Sequence, residues 1–166
     1  MIELLSKKHQ RGDFDCGKEL LSNYLKTQAS QDVKRKLSAC FVLAELGTNR
    51  IQGYYTLSNN SIALSSFSEK IQKKLPKTYT SIPTILLGRL AIDKNFQGNG
   101  IGKILLIDAL KRCYEISLQL GSFAVVVDPI DQEAEDFYKK YDFIKLPDSG
   151  KLFIATRTLQ ELFEVA

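Results

Sequence analysis

Histidine is almost missing from this chain: His9 is the only one in 166 residues. A Ser-His or Cys-His catalytic pair would have to use it, and its polar N-terminal surroundings read as solvated surface, so that chemistry is set aside. The same scarcity argues against a catalytic zinc, and no metal is expected. Cysteine is scarce and odd in number. Cys16, Cys40 and Cys113 are too scattered for a disulfide framework or a C-x-x-C metal site, and each reads as a small buried apolar residue of a reducing compartment. No apolar run approaches the roughly 18 residues of a membrane helix. The opening "MIELLSKKHQRGDFD" lacks the apolar core of a secretory signal. A cytoplasmic protein without a membrane partner is expected.

What is present is ordinary globular material, 44% hydrophobic and 25% charged, of a length that predicts one domain over 1–166. The net charge of +4 is unevenly spread. Positive clusters stand at Lys34-Arg35-Lys36, at Lys70, Lys73, Lys74 and Lys77, and at Lys139-Lys140. Each alone reads as a solvated helix face. Together they are compatible with a polyanion such as RNA, met through its phosphates.

Periodicity separates the elements. "MIELLS" is a short strand candidate. Leu20, Leu21, Tyr24 and Leu25 share a helix face, with Asp15 as a cap ahead of them. "ACFVLAEL" and "RIQGYYTLS" predict a hairpin across Gly47-Thr48-Asn49, and "SEKIQKKL" is compatible with a basic helix. Then "TILLGRLAID" is a continuous apolar strand, covered on both faces. A helix follows from about Gly100, with Leu106, Ala109, Leu110, Cys113, Ser117 and Leu120 on one face and Gly121 as its stop. "SFAVVVD" is another apolar strand, so strand, helix and strand form a βαβ unit with parallel strands. "DQEAEDFYKKY" is an amphipathic helix, with Phe137 and Tyr141 the better core candidates. "FIKL" and "LFIATR" complete the sheet. The class is α/β, a mixed sheet whose central section is parallel.

Between the βαβ strand and helix lies "QGNGIG", Gln97 to Gly102. It fails the dinucleotide fingerprint, because the third glycine position is Lys103. It fails the Walker A pattern too, because Gln97 stands at the first glycine and Ile104 at the hydroxyl. Glycines nevertheless permit a tight turn, and the N–H groups of Gly98, Asn99, Gly100, Ile101 and Gly102 would converge at the positive end of a helix. Lys94 and Lys103 are nearby counter-charges. On the loop alone, an anion cradle and a bare turn remain equal readings.

"LGRLAIDKNFQGNGIGKILLIDAL" closely resembles the coenzyme A-binding segment of GNAT N-acetyltransferases, Q/R-x-x-G-x-G/A after a strand, met here by Gln97, Gly100 and Gly102. "AEDFYKKYDF" resembles the family's A-x-x-F-Y-x-x-x-G-F helix and turn, except that Asp142 replaces the glycine. The two motifs cover about residues 84–145. Aspartate tolerates left-handed backbone better than most residues, so the turn is expected to survive. The resemblance implies a single-domain GNAT fold with a splayed parallel strand pair flanked by helices, and acetyl-CoA as cosubstrate. The main chain of Leu90, Ala91 and Ile92 would face the thioester, with a peptide N–H to stabilise its oxyanion. Gln97 to Lys103 would hold the diphosphate. Tyr138 matches the family's general-acid tyrosine; its place in an amphipathic stripe also fits a core residue.

A narrower resemblance, carried by "FDCGKELLSNYL", "GRLAID" and "TLQELF", is to the GNAT toxins of bacterial toxin–antitoxin pairs. It implies acetylation of the α-amino group of aminoacyl-tRNA, arrest of translation, and a small ribbon-helix-helix antitoxin; a homodimer stays open. Lys34, Arg35 and Lys36 would meet the tRNA. Arg89, a charge in an apolar strand, is either paired structurally or aimed at a substrate phosphate. No general base stands out, although Glu45, Asp93, Asp128 and Asp131 remain available. An α-amino group, with a pKa near 8, needs less help than a lysine near 10.4. The rivals are an acetyltransferase of a small amine, antibiotic or protein amine, and a non-catalytic coenzyme A-binding module.

Overall fold

The computed structural model describes residues 1–164. Its elements run β1 (Ile2–Leu4), α1 (Glu19–Thr27), α2 (Ala29–Lys34), β2 (Ala39–Ala44), β3 (Ile51–Ala63), α3 (Glu69–Gln72), β4 (Ser81–Ile92), α4 (Ile101–Ser117), β5 (Ala124–Val127), α5 (Gln132–Lys140), β6 (Ile144–Lys145), β7 (Leu152–Ala155) and α6 (Thr156–Phe163). The strands are hydrogen-bonded in the order β1-β2-β3-β4-β5-β7-β6. β4 and β5 pair in parallel, from Thr84 opposite Ala124 to Leu86 opposite Val126, and β4 continues beyond that register to Ile92. β1 with β2, β2 with β3, β5 with β7 and β6 with β7 are antiparallel. This is the mixed α/β sheet, with its parallel pair at β4 and β5, that the spacing predicts.

The chain divides into two compact units, residues 1–58 with 87–109, and residues 59–86 with 110 onward. In the first unit, both faces of β2 are buried. Cys40 and Val42 join a core of Phe14, Tyr24, Leu25, Ile51, Tyr54 and Ala91, while Phe41 points the other way, as strand alternation requires, and stacks on Tyr55 at 5.1 Å. His9 belongs to this unit and corrects the expectation of a solvated residue. It is 4% exposed; Nδ1 accepts from the Ser6 N–H at 2.9 Å, and Nε2 lies 2.9 Å from a Glu3 oxygen. Nδ1 is therefore an acceptor and Nε2 carries the proton, an arrangement that satisfies a buried imidazole structurally.

In the second unit, Phe67 sits edge-on to Phe123 and Phe153, at 5.5 and 5.4 Å, within a core that includes Ile62, Ile82, Val126 and Leu146. All of β5 is buried, which is why it reads as an uninterrupted apolar run. α5 opens at Asp131, whose carboxylate accepts from the Ala134 N–H at 2.9 Å. It closes through Asp142 at φ 70°, with Asp142 N–H donating to Lys139 O at 3.1 Å and Phe143 N–H to Tyr138 O at 3.3 Å. The turn thus survives the loss of the family's glycine.

Several element expectations need correction. α4 ends at Ser117, short of Gly121, and leaves Leu120 59% exposed. Only Glu69–Gln72 of the basic stretch is helical, because Pro76 and a short apolar face give it little to bury. Thr156 of "LFIATR" begins α6 instead of extending β7. α1 is preceded by Lys18, without a side-chain cap, while Asp15 is bonded elsewhere.

Candidate active site

The end of β4 is held by a buried carboxylate. Asp93, fully excluded from solvent, accepts from the N–H groups of Asn95 at 2.9 Å and Asp15 at 3.1 Å. Arg50 lies 3.8 Å away. These donors satisfy the buried carboxylate within the fold. Asp131 is likewise occupied as the α5 cap.

Past Asp93 the chain makes a single 3-10 turn, Lys94–Phe96, and enters the glycine loop. Gly98 and Gly100 adopt φ 82° and 77°. A Cβ on either would meet nothing within 4 Å, so the backbone angle, not crowding, calls for glycine there. The Ile104 N–H donates to Gly100 O at 3.1 Å and closes the first turn of α4. The N–H groups of Ile101, Gly102 and Lys103 precede any intrahelical acceptor, at the positive end of a 17-residue helix. Gly98, Asn99, Gly100 and Lys103 are exposed, and Ile101 and Gly102 half-buried. Open space, aligned donors and a nearby ammonium suit a multiply charged phosphate. Lys94 is not a free counter-charge, because its ammonium is 2.8 Å from Asp15. That contact raises the Lys94 pKa and, with the Gly17 N–H, lowers that of Asp15.

Gln97 is used differently from its neighbours. Its side-chain amide donates to Cys16 O at 3.0 Å and Ile92 O at 2.9 Å. The carbonyl of Ile92, one of the three β4 residues expected near the thioester, is therefore engaged. Leu90 and Ile92 are half-buried and Ala91 buried. Sequence reasoning missed Gly53 of β3. A Cβ there would lie 2.7 Å from Leu105 Cδ1, 2.9 Å from Ile92 Cδ1 and 3.0 Å from Ala91 O. Its lack of a side chain lets β3 approach the end of β4 and the start of α4 together. An isolated glycine in an apolar strand was the available signal.

Arg89 lies flat on Tyr24, its guanidinium carbon 3.5 Å from the ring centre. The Tyr24 hydroxyl donates to Asp32 at 2.7 Å. Burial first, and that hydrogen bond second, push the Tyr24 phenol up to about 12. No carboxylate pairs with Arg89 among the described residues, so its partner in the fold is a π face and its N–H edge remains unspent. Lys34, Arg35 and Lys36 are exposed at the end of α2, where Lys36 turns the chain at φ 62°.

Tyr138 lies in the second unit. It is the buried residue of α5, 7% exposed, whereas Phe137 and Tyr141 are only half-buried, the reverse of the expected ranking. Phe137 and Phe143 flank its ring, each at 5.3 Å. Burial pushes the phenol above its ordinary pKa, and no hydrogen bond to its hydroxyl is found among the described residues. The group stays protonated at neutral pH.

A model of the acetyltransferase (GNAT) domain matches residues 77–152. The tRNA-acetylating toxin of Mycobacterium tuberculosis is 35% identical over 130 residues, 78% of this chain and 75% of the relative. Among solved structures, a mutant of KacT has a TM-score of 0.92 at 31% identity, covering 98% of both chains. AtaT complexed with acetyl-methionyl-tRNAfMet scores 0.90 at 32% identity, again over 98% of both. A tyrosine-to-phenylalanine mutant of AtaT, bound to the C-terminus of the antitoxin AtaR and acetyl-CoA, scores 0.81 at 28% identity, covering 99% of this chain and 98% of AtaT. With a glycine loop opening a long helix beyond β4, and sequence similarity that runs through both units, this chain belongs to the GNAT acetyltransferase family.

Proposed function

We propose that this protein is a toxin that transfers the acetyl group of acetyl-CoA to the α-amino group of aminoacyl-tRNA and so blocks translation. The observation that carries this reading is similarity over nearly the whole chain to AtaT in complex with an acetylated aminoacyl-tRNA. The place of action is the cytoplasm, where charged tRNA is found. A small antitoxin of the ribbon-helix-helix type is the neutralising partner, by analogy with AtaT and AtaR.

The chain's groups divide the work. Main-chain N–H groups of Gly98–Lys103, with the Lys103 ammonium, hold the carrier's diphosphate. The Arg89 N–H edge and the cations Lys34, Arg35 and Lys36 take phosphates of the acceptor. The neutral α-amine attacks the acetyl carbonyl, a C–N bond forms, and a main-chain N–H at Leu90–Ile92 stabilises the oxyanion. As the C–S bond breaks, the Tyr138 hydroxyl supplies a proton, or a hydrogen bond, to the departing thiolate, and water takes the proton lost by the amine. A thiol reference pKa of about 8.5, below that of the phenol, makes a strong hydrogen bond as useful as full transfer. An ester next to the α-amine lowers the amine's pKa, so no side-chain base is required.

The test is transfer from radiolabelled acetyl-CoA to charged tRNA, uncharged tRNA and a panel of amines. Label on charged tRNA alone is expected. Label confined to spermine or lysine peptides would overturn the toxin reading while leaving the family intact.

A further inference from the structure

The side-chain amide of Gln97 and the buried carboxylate of Asp93 both bond to the N-terminal segment. Gln97 bonds Cys16 O, 81 positions earlier, together with Ile92 O. Asp93 receives the Asp15 N–H at 3.1 Å, the Lys94 N–H donates to Asp15 O at 2.8 Å, and the Lys94 ammonium meets the Asp15 carboxylate at 2.8 Å. Gly17 N–H closes the turn on Asp15 at 2.9 Å. Two turns far apart in sequence are thus joined by three hydrogen bonds and one ion pair. The second of them leads directly into Gly98 and Gly100, which hold positive φ angles in open surroundings.

We infer that Gln97 is a positioning residue, and that the Asp15–Cys16 turn is a strut which sets the geometry of the carrier-binding loop. The inference rests on Gly98–Lys103 being the diphosphate loop. It differs from a direct role for the Gln97 amide, whose donors are both already committed to carbonyls. A loop aligned in advance loses less freedom when the diphosphate binds, so the strut acts on carrier affinity. By linkage, the carrier must tighten the strut in return. Asp93 serves the same end as a buried anchor. Arg50 beside it is also 5.4 Å from the Phe96 ring, which holds the short turn between anchor and loop.

Two measurements test this. In the first, calorimetry with acetyl-CoA is run on the wild type and on Gln97→Met, which keeps the length but has no donor, and on Gln97→Arg, which keeps donors for both carbonyls. Gln97→Met is expected to weaken binding about tenfold, with KM for acetyl-CoA rising in step and kcat at saturation changing less than about twofold. Gln97→Arg restores affinity. Unaltered affinity in Gln97→Met overturns the strut, and so does an equal loss in both variants. In the second, amide exchange of the wild type is followed with and without acetyl-CoA. Slower exchange at Asp15 and Lys94 on binding is expected, and unchanged exchange there overturns the inference even where a variant fails to fold. Wild-type protein that takes up no acetyl-CoA sinks the carrier-loop reading itself, a distinct result.

Discussion

At the scale of single residues, the two aromatic neighbours in "FY" are separated by burial. Position 138, not 137, faces the interior, and no partner of its hydroxyl is found among the described residues. Buried phenols normally find one, and the proposed proton or hydrogen-bond donation to the departing thiolate would use this hydroxyl. Tyr138→Phe is therefore expected to lower kcat for acetyl transfer about 100-fold. Its acetyl-CoA affinity by calorimetry and its melting temperature should stay close to wild type, since no internal hydrogen bond is lost. Unchanged turnover would return Tyr138 to a purely packing role. Asp142 carries a different strain: at φ 70° a Cβ crowds the neighbouring carbonyl. Asp142→Gly is expected to raise stability by about 0.5–1 kcal/mol in denaturant unfolding, without affecting turnover.

At the scale of elements, the end of β4 and the start of α4 are joined through close packing on Gly53. Gly53→Ala would push against the methyl groups of Leu105 and Ile92 and against the Ala91 carbonyl, at separations of 2.7 to 3.0 Å. The methyl groups can move, whereas the carbonyl cannot move without the strand. A loss of about 1–3 kcal/mol in stability is expected, together with weaker acetyl-CoA binding, and the two are measured by denaturant titration and calorimetry. The Asp15–Lys94 pair ties the neighbouring turn in a pH-dependent way. Lys94 and the Gly17 N–H lower the Asp15 pKa, so that group's contribution is present above its unfolded value and lost as pH falls through the lower, folded one. Asp15 raises the Lys94 pKa, so that contribution is present below the unfolded lysine value and lost as pH rises through the folded one. The pair thus supports the turn between about pH 4 and pH 10.5. Any melting difference between wild type and Asp15→Asn should be widest at neutral pH and close below about pH 4; a difference that persists in acid would show that the pair is not its source.

At the scale of the molecule, the charge pattern matters more than the net +4. Lys34, Arg35 and Lys36 are exposed and form no ion pair among the described residues, whereas Lys139 and Lys145 are drawn to Glu135 at 3.3 and 3.4 Å. The first cluster can therefore meet a nucleic-acid backbone without breaking internal contacts. Reversing it with Lys34→Glu, Arg35→Glu and Lys36→Glu is expected to raise KM for charged tRNA. It should also flatten the salt dependence of that KM by about two to three in slope, while calorimetry with acetyl-CoA stays unchanged. An unaltered salt slope would exclude this cluster from the tRNA surface.

Much of this was legible in the linear order of residues, for a physical reason. Apolar β5 and its long helical predecessor carry their periodicities locally, and glycines at 98 and 100 permit the left-handed backbone that the loop adopts. The strand–loop–helix order follows from those local facts, whereas the ligand class and the acetyl-transfer chemistry come from the two family motifs, since the loop alone left an anion cradle and a bare turn equal. What the sequence left open are choices that depend on partners distant along the chain. Asp93 and Gln97 are committed because the turn at Asp15 and Cys16 lies against them, and Arg89 stacks because α1 brings Tyr24 to it. Those outcomes are set by packing across tens of residues, where no local spacing records which polar group will be satisfied from within and which is left for a ligand.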